Sequence, residues 1–159
     1  MALTFTLKQA LPVSLEVNSV SHESVSGQSL SQICALPVLL GNRQATVGEF
    51  FDVQQSDAEP DLLIFTGDCA RLKYIGAGLS RGRIRVEGSA GMHLGAEMTG
   101  GEILVEGDVA DCAATEMQGG TLCIQGNAGD LLGAAYPGSK RGMRGGTITV
   151  NGHVGNEAG

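Results

Sequence analysis

From residue 61 onward, apolar and polar positions alternate in short runs that recur at a fixed interval. Aligned on the glycine that ends each run, they read Arg83-Ile-Arg-Val-Glu-Gly88, Glu102-Ile-Leu-Val-Glu-Gly107, Thr121-Leu-Cys-Ile-Gln-Gly126 and Thr147-Ile-Thr-Val-Asn-Gly152, with spacings of 19, 19 and 26. A weaker copy, Leu62-Leu-Ile-Phe-Thr-Gly67, precedes the first by 21. Ile84, Ile103, Leu122 and Ile148 share one register, and Val86, Val105, Ile124 and Val150 share the register two residues on. On a pleated strand this period of two turns both sets to one face and sends Arg85, Leu104, Cys123 and Thr149 to the other. Runs of uniform polarity joined by glycine corners do not suit hairpins. They predict a mainly β chain, a parallel, right-handed β-helix whose coils stack about 4.8 Å apart with like residues in ladders. Each run is followed by a second recurring string, Met98-Thr-Gly-Gly101, Met117-Gln-Gly-Gly120 and Met143-Arg-Gly-Gly146, with Leu79-Ser-Arg-Gly82 as a degenerate first version. Glycine is expected to supply the positive φ of the corners, and methionine to fill the irregular space beneath them.

The first 60 residues lack this period. Leu3 to Leu7 alternates as an edge strand does, Ser29-Leu-Ser-Gln32 has capping-box spacing before a short helix that must stop ahead of Pro37, and Val47 to Val53 reads as a strand. A stack of coils needs its open end covered, so 1–60 is expected to form a small α+β N-terminal cap and 61–159 the coils. The chain stops at Gly159, inside the fifth coil, and the strand edge around Ile148 and Val150 is then expected to stay open and to self-associate unless covered.

Composition narrows the function. Glycine accounts for 25 of 159 residues, but 42% apolar content excludes a disordered linker, and with no Trp, two Tyr and four Phe the core must be aliphatic. A net charge of −7 argues against a nucleic-acid binder. Met1 to Val20 lacks the pattern of a secretory signal, and no run reaches the length of a membrane span, so the expectation is a cytoplasmic protein without membrane contact. Cys34, Cys69, Cys112 and Cys123 show no metal spacing and read as reduced, mostly buried small hydrophobes. His22, His93 and His153 are scattered and read as surface or filler residues.

Three features carry candidate chemistry. Gly133-Ala-Ala-Tyr-Pro-Gly138-Ser-Lys140 imitates a phosphate loop, but its lysine falls one place late and no hydroxyl residue follows. Glu87 and Glu106 occupy equivalent outward positions, where paired carboxylates could serve a stand-alone β-helix hydrolase, although Gln125 and Asn151 continue the same ladder as a plain polar column. Charge is banded: residues 71–85 hold five cations and no acid, residues 86–130 hold eight acids and no Lys or Arg. The seven extra residues of the fourth interval then bring Lys140, Arg141 and Arg144. A stack does not need that bulge to pack. Pro137 stiffens it, Gly138 and Gly142 let it turn, and Tyr136, Pro137, Ser139, Lys140, Arg141 and Arg144 are the expected contacts with a partner or a substrate.

The period with its Met-Xaa-Gly-Gly corners, interrupted in register by Ala135-Tyr-Pro-Gly-Ser-Lys-Arg-Gly-Met143, resembles the C subunit of formylmethanofuran dehydrogenase and of the bacterial formyltransferase/hydrolase complex. Leu30-Ser-Gln-Ile-Cys-Ala-Leu-Pro37 and Val47-Gly-Glu-Phe-Phe-Asp-Val53 extend the likeness to the N-terminal segment. The resemblance implies a non-catalytic scaffold subunit in one-carbon metabolism linked to methanofuran and tetrahydromethanopterin, with no cofactor in this chain. Molybdenum or tungsten would sit in other subunits if the complex is the dehydrogenase. The bacterial form is favoured on the general look of the N-terminal segment. The implied partners are the other subunits of the same complex, and the family continues for several more coils and a C-terminal cap. It offers no catalytic or metal-ligating residues to carry over. The coil period also resembles the C-terminal domain of the glutamate synthase large subunit, which implies a glutamine amidotransferase partner instead.

Overall fold

The computed structural model describes residues 2–57 and 59–159. Its elements follow in the order β1 (Ala2–Leu7), β2 (Leu15–Glu16), α1 (His22–Val25), α2 (Leu30–Cys34), β3 (Pro37–Leu40), β4 (Arg43–Thr46), α3 (Val47–Phe50), β5 (Phe51–Ser56), β6 (Leu62–Thr66), β7 (Leu72–Lys73), β8 (Arg83–Glu87), β9 (Glu102–Val105), β10 (Thr121–Ile124) and β11 (Thr147–Val150). They form a seven-stranded sheet, β11-β10-β9-β8-β6-β1-β5, and a four-stranded sheet, β4-β3-β2-β7.

The period is realised as parallel pairing in register. Leu63, Ile84, Ile103, Leu122 and Ile148 are successive partners across five strands, and so are Phe65, Val86, Val105, Ile124 and Val150. Both inner columns are buried through β10, and the outward Arg85, Leu104 and Cys123 are half-buried. Each buried aliphatic side chain is worth about 1.5–3 kcal/mol of removal from water. Met98 and Met117 are fully enclosed under their corners.

The parallel β-helix expected from the period is corrected by the remaining strands. The chain is mixed α/β, two sheets with a few short helices. The N-terminal segment enters the larger sheet, with β1 parallel to β6 on one side and antiparallel to β5 on the other. The smaller sheet draws three strands from residues 15–46 and only Leu72–Lys73 from the later chain. Between the later strands the return path is turn and bend, tied by single bridges Ala90 to Val109, Val109 to Ala128 and Ala128 to Val154 rather than by further sheets. One strand of four or five residues per repeat is all that the apolar alternation supports.

Local readings of the N-terminal segment divide. Ser29 caps α2 as a full capping box, its side chain accepting from the Gln32 amide at 3.1 Å and its own amide donating to the Gln32 side chain at 2.9 Å, and the helix ends before Pro37. Leu3 to Leu7 is not at an edge, because β1 is flanked on both sides and carries Phe5, which stacks on Phe65 at 5.2 Å and meets Phe51 edge-on at 6.0 Å. Val47 to Val53 is one helical turn followed by a strand: Val47 and Phe50, three apart, are both buried and therefore need a helical spacing. His22 is buried, with Nε2 3.0 Å from the Asp61 carbonyl oxygen, and so ties α1 to the start of β6.

Candidate functional site

The turns of the repeat, and not its strands, assemble the chemically varied surface. In two successive repeats the chain reverses through a tight turn closed by Met98 N–H to the Gly95 carbonyl at 3.2 Å and by Met117 N–H to the Ala114 carbonyl at 3.1 Å. In the long repeat the same closure is made by Met143 N–H to the Gly133 carbonyl at 2.8 Å, so the extra residues are spliced into the turn without opening it. The Arg144 amide then donates to the Met117 carbonyl at 2.7 Å, which returns the chain to register.

Four left-handed columns run along these turns. Gly76, Gly95, Ala114 and Gly133 form one, with φ of +70°, +64°, +56° and +68°, and glycine suits it. Two residues earlier stand Tyr74, His93, Cys112 and Leu131, again 19 apart, at +65°, +62°, +64° and +61°. Two residues later stand Gly78, Glu97 and Glu116, at +72°, +58° and +52°. Glycine corners are therefore only part of the outcome, since seven of these positions carry a side chain in a conformation that costs an L-residue about 1–2 kcal/mol. The fourth column, Gly101, Gly120 and Gly146, admits glycine alone: a Cβ at Gly120 would lie 2.7 Å from the Gly100 carbonyl oxygen.

The first limb of the loop folds back over this surface. Tyr74 stacks on His93 with ring centroids 4.7 Å apart and planes within 6°, and Tyr136 lies 6.4 Å beyond at 28°. The Tyr136 amide donates to Glu116 Oε2 at 2.8 Å, and the Ser139 amide donates to the Tyr136 carbonyl at 2.9 Å. With Pro137 second and Gly138 third at φ +85°, this has the form of a type II turn. Beneath it lies a cavity of about 320 Å³, mostly apolar, lined by His93, Cys112, Thr115, Leu131, Tyr136 and Pro137 among others.

Burial sets the charge state of the lining. Desolvation first, then Lys73, pushes His93 below the usual imidazole range against the opposing pull of Glu16, and its Nδ1 is buried without a hydrogen-bond partner. Both causes favour the neutral ring over the charged one. Desolvation raises the Tyr136 phenol, and Glu97, Tyr74, Glu116 and Cys112 raise it further. Desolvation with Asp111 raises the Cys112 thiol, and burial pushes Cys69 up to about 12, so neither is an activated nucleophile.

The expected contact residues separate into two groups. Tyr136 and Pro137 line the cavity, whereas Ser139, Lys140, Arg141 and Arg144 are exposed on the outer limb, and none of the ion pairs found among the described residues involves those cations. Glu87 pairs with Arg85 at 3.5 Å, Glu106 is exposed, and neither lines the loop cavity. Of the four cysteines Cys69 is buried and the others are only half-buried, a correction to the expected burial. Much of the acidic band is structural: Asp108 Oδ1 accepts from the Asn127 amide and Asp111 Oδ1 from the Asp130 amide, both at 2.7 Å, each reaching the next repeat. Among the described residues no group of three or more His, Cys, Asp or Glu could hold a metal ion, and no helix is long and apolar enough to cross a membrane.

Tyr74, His93, Cys112, Glu97 and Glu116 are not legible as site residues from composition or motif. The available sign is their spacing of 19, which places each group in one column once the strands are aligned.

No protein-family model matches the chain. It is 41% identical over 94 residues to the C subunit of molybdenum-containing formylmethanofuran dehydrogenase 1 from Methanothermobacter marburgensis, a stretch of 59% of this chain and 24% of that protein. It is 35% identical over 91 residues to the C subunit of the formyltransferase/hydrolase complex Fhc from Methylorubrum extorquens, 57% of this chain and 34% of that one. A crystal structure of the formyltransferase/hydrolase complex FhcABCD from Methylorubrum extorquens with methylofuran contains a similar chain, with TM-score 0.87 and 34% identity over 95% of this chain and 56% of that one. The resemblance to the C subunits of both kinds of complex is thus shown by sequence and by fold. The chain spans about a quarter to a third of the length of the curated relatives it matches.

Proposed function

We propose that this chain is the C-type component, without catalytic residues of its own, of a formylmethanofuran dehydrogenase-type or formyltransferase/hydrolase complex. The observation that carries the reading is the fold match at TM-score 0.87 over 95% of the chain to a chain of the FhcABCD complex. The site agrees with it, since burial raises the Cys69 and Cys112 thiols away from the thiolate form and Glu87 is ion-paired with Arg85. In this reading the protein is cytoplasmic, the one-carbon carriers and any molybdenum or tungsten are held by other subunits, and the ordered strands act as a rigid mount. Residues 1–60 are the segment closing one end of that mount and 61–159 its repeating part. The outer limb, Ser139, Lys140, Arg141 and Arg144, meets an acidic surface of a neighbouring subunit or the carboxylates of a methanofuran-type carrier.

The test is capture from the native cell with partners identified by mass. The expected result is co-purification with large subunits of one of these two complexes and no formyl-group hydrolysis by the chain alone. Association with a glutamine amidotransferase would replace this reading with the glutamate synthase-like one. Activity alone that disappears in Glu87→Gln or Glu106→Gln would replace it with a hydrolase. For the loop, Lys140→Ser/Arg141→Ser should weaken assembly or turnover of the complex at low salt, and unchanged assembly and turnover would remove the loop from the reading.

A further inference from the structure

Two acids stand beside the cavity under the loop, both close enough to the lining residue Tyr136 to raise its phenol. Glu97 and Glu116 occupy equivalent places on adjacent repeats whose backbones are paired there, Glu97 N–H donating to the Thr115 carbonyl at 2.7 Å. Their Cα atoms are therefore about one strand spacing, roughly 4.8 Å, apart. No ion pair among the described residues engages either carboxylate. Glu97 is exposed and Glu116 half-buried. At the same column one repeat earlier the chain uses Gly78, at φ +72°, so the backbone there needs no side chain. Two glutamates are nevertheless held at +58° and +52°, in the region that glycine fills without strain. Strain of this kind points to a use for the side chain: Glu116 spends one carboxylate oxygen on the Tyr136 amide at 2.8 Å, and Glu97 stands exposed beside it without an ion pair.

The wall next to these carboxylates is aromatic: His93, backed by the stacked Tyr74, and Tyr136, which faces His93 across 6.4 Å. Leu131, Ala134 and Cys112 make the rest of the lining largely apolar, and the Thr115 hydroxyl is spent on the Cys112 carbonyl. At about 320 Å³ the space lies at the small end of ligand cavities, sized for one long side chain and not for a folded element. An apolar channel with π faces and, beside it, two acids without a counter-charge, one of them already accepting the Tyr136 amide, asks for a long aliphatic stem that ends in a planar, weakly hydrated cation. An aromatic or aliphatic anchor would fill the volume but leave both carboxylates without a counter-charge.

We propose that this cavity takes an arginine side chain presented by a partner protein, with its stem over Leu131 and Cys112, its guanidinium against the Tyr136 and His93 rings, and its fork of donors on Glu97 and Glu116. The proposal deepens the scaffold reading and rests on it for the identity of the partner. Arginine is preferred over lysine because its fork matches two carboxylates and its plane stacks on the rings.

The test titrates N-acetyl-arginine methylamide into the full chain and follows the ring resonances of Tyr74, His93 and Tyr136. The lysine and norleucine analogues serve as comparisons. Saturable shifts are expected with arginine, at least about threefold weaker binding with lysine and none with norleucine. Glu97→Gln/Glu116→Gln should weaken arginine binding tenfold or more and leave the melting temperature unlowered, which separates lost binding from lost folding. The same double variant should cut capture of the partner subunits at low salt tenfold or more. No shift with arginine, an equal response to norleucine, or full binding and capture by the double variant would overturn the proposal. Probe binding by a chain that captures none of those partners supports the cavity chemistry while overturning the scaffold reading, so the two failures are distinguishable.

Discussion

In the strands, equivalent residues of successive repeats are near copies: Ile84, Ile103 and Leu122 are all buried aliphatics in one unbroken row. At the turns, Tyr74, His93, Cys112 and Leu131 share a backbone angle to within 4° but belong to four residue types, of which only the first two stack on one another. Both columns keep the same spacing, yet only in the first must every side chain be of one kind. A strand residue is enclosed on one face and must match the volume left by its neighbours above and below. A turn residue in the left-handed region is fixed by its backbone hydrogen bonds and leaves its side chain free to differ. Regularity in one place therefore permits variety in the other.

The largest expected effect lies in the strands. Ile103→Asp places a carboxylate between Ile84 and Leu122 in a fully buried row and should cost about 3–5 kcal/mol by denaturant unfolding, whereas Leu104→Asp, on the half-buried outer face, should cost about 1 kcal/mol or less. Equal losses would mean that the two faces are not distinct. Next comes the glycine column: Gly120→Ala sets a Cβ 2.7 Å from a backbone oxygen at φ +87° and should cost at least about 2 kcal/mol. Gly138→Ala, at φ +85° with nothing within 4 Å of its Cβ, should cost only about 1 kcal/mol, and the difference between the two melting curves isolates the steric part.

Smaller, and opposite in sign, is Glu97→Gly. It relieves a left-handed side chain that is exposed and unpaired, so stability should rise by about 1 kcal/mol. A loss of that size instead would show that the glutamate supports the turn. The smallest effect is in pH. Burial holds His93 below its unfolded value, so the unfolded chain takes up its proton first, and the stability present above the ordinary imidazole value of 6.5 is lost as pH falls through the folded pKa. Melting temperatures measured downward from about pH 7.5 should fall less steeply in His93→Phe than in the parent, and parallel slopes would remove His93 from the acid response.

How much of this can be read from the residues follows the same division. The pairing of Leu63 with Ile84 and onward to Ile148 is legible, because burial on one face of a strand imposes a period of two that survives in the letters. The capping box at Ser29 is legible because both of its hydrogen bonds are local. The overall class is not: nothing in residues 1–60 states that β1 will lie between β5 and β6, which is a long-range pairing with no periodic mark. Val47 to Phe50 reads as strand because a four-residue helical turn and a strand start look alike in so short an apolar run. In the site, Tyr136 and Pro137 stand out through the break in spacing, while His93 looks scattered because its companions Tyr74 and Cys112 belong to other residue types.

The turn between Gly133 and Met143 behaves like a parenthesis in a sentence whose grammar is complete without it. Its closing hydrogen bond is the one that the shorter turns make, so the number of residues enclosed is not recorded anywhere in the sheet. Lengthening such a loop costs only about 0.6 kcal/mol for each doubling. Insertions at this point can therefore drift in length and composition, from one descendant chain to another or at a designer's choice, while every strand keeps its neighbour.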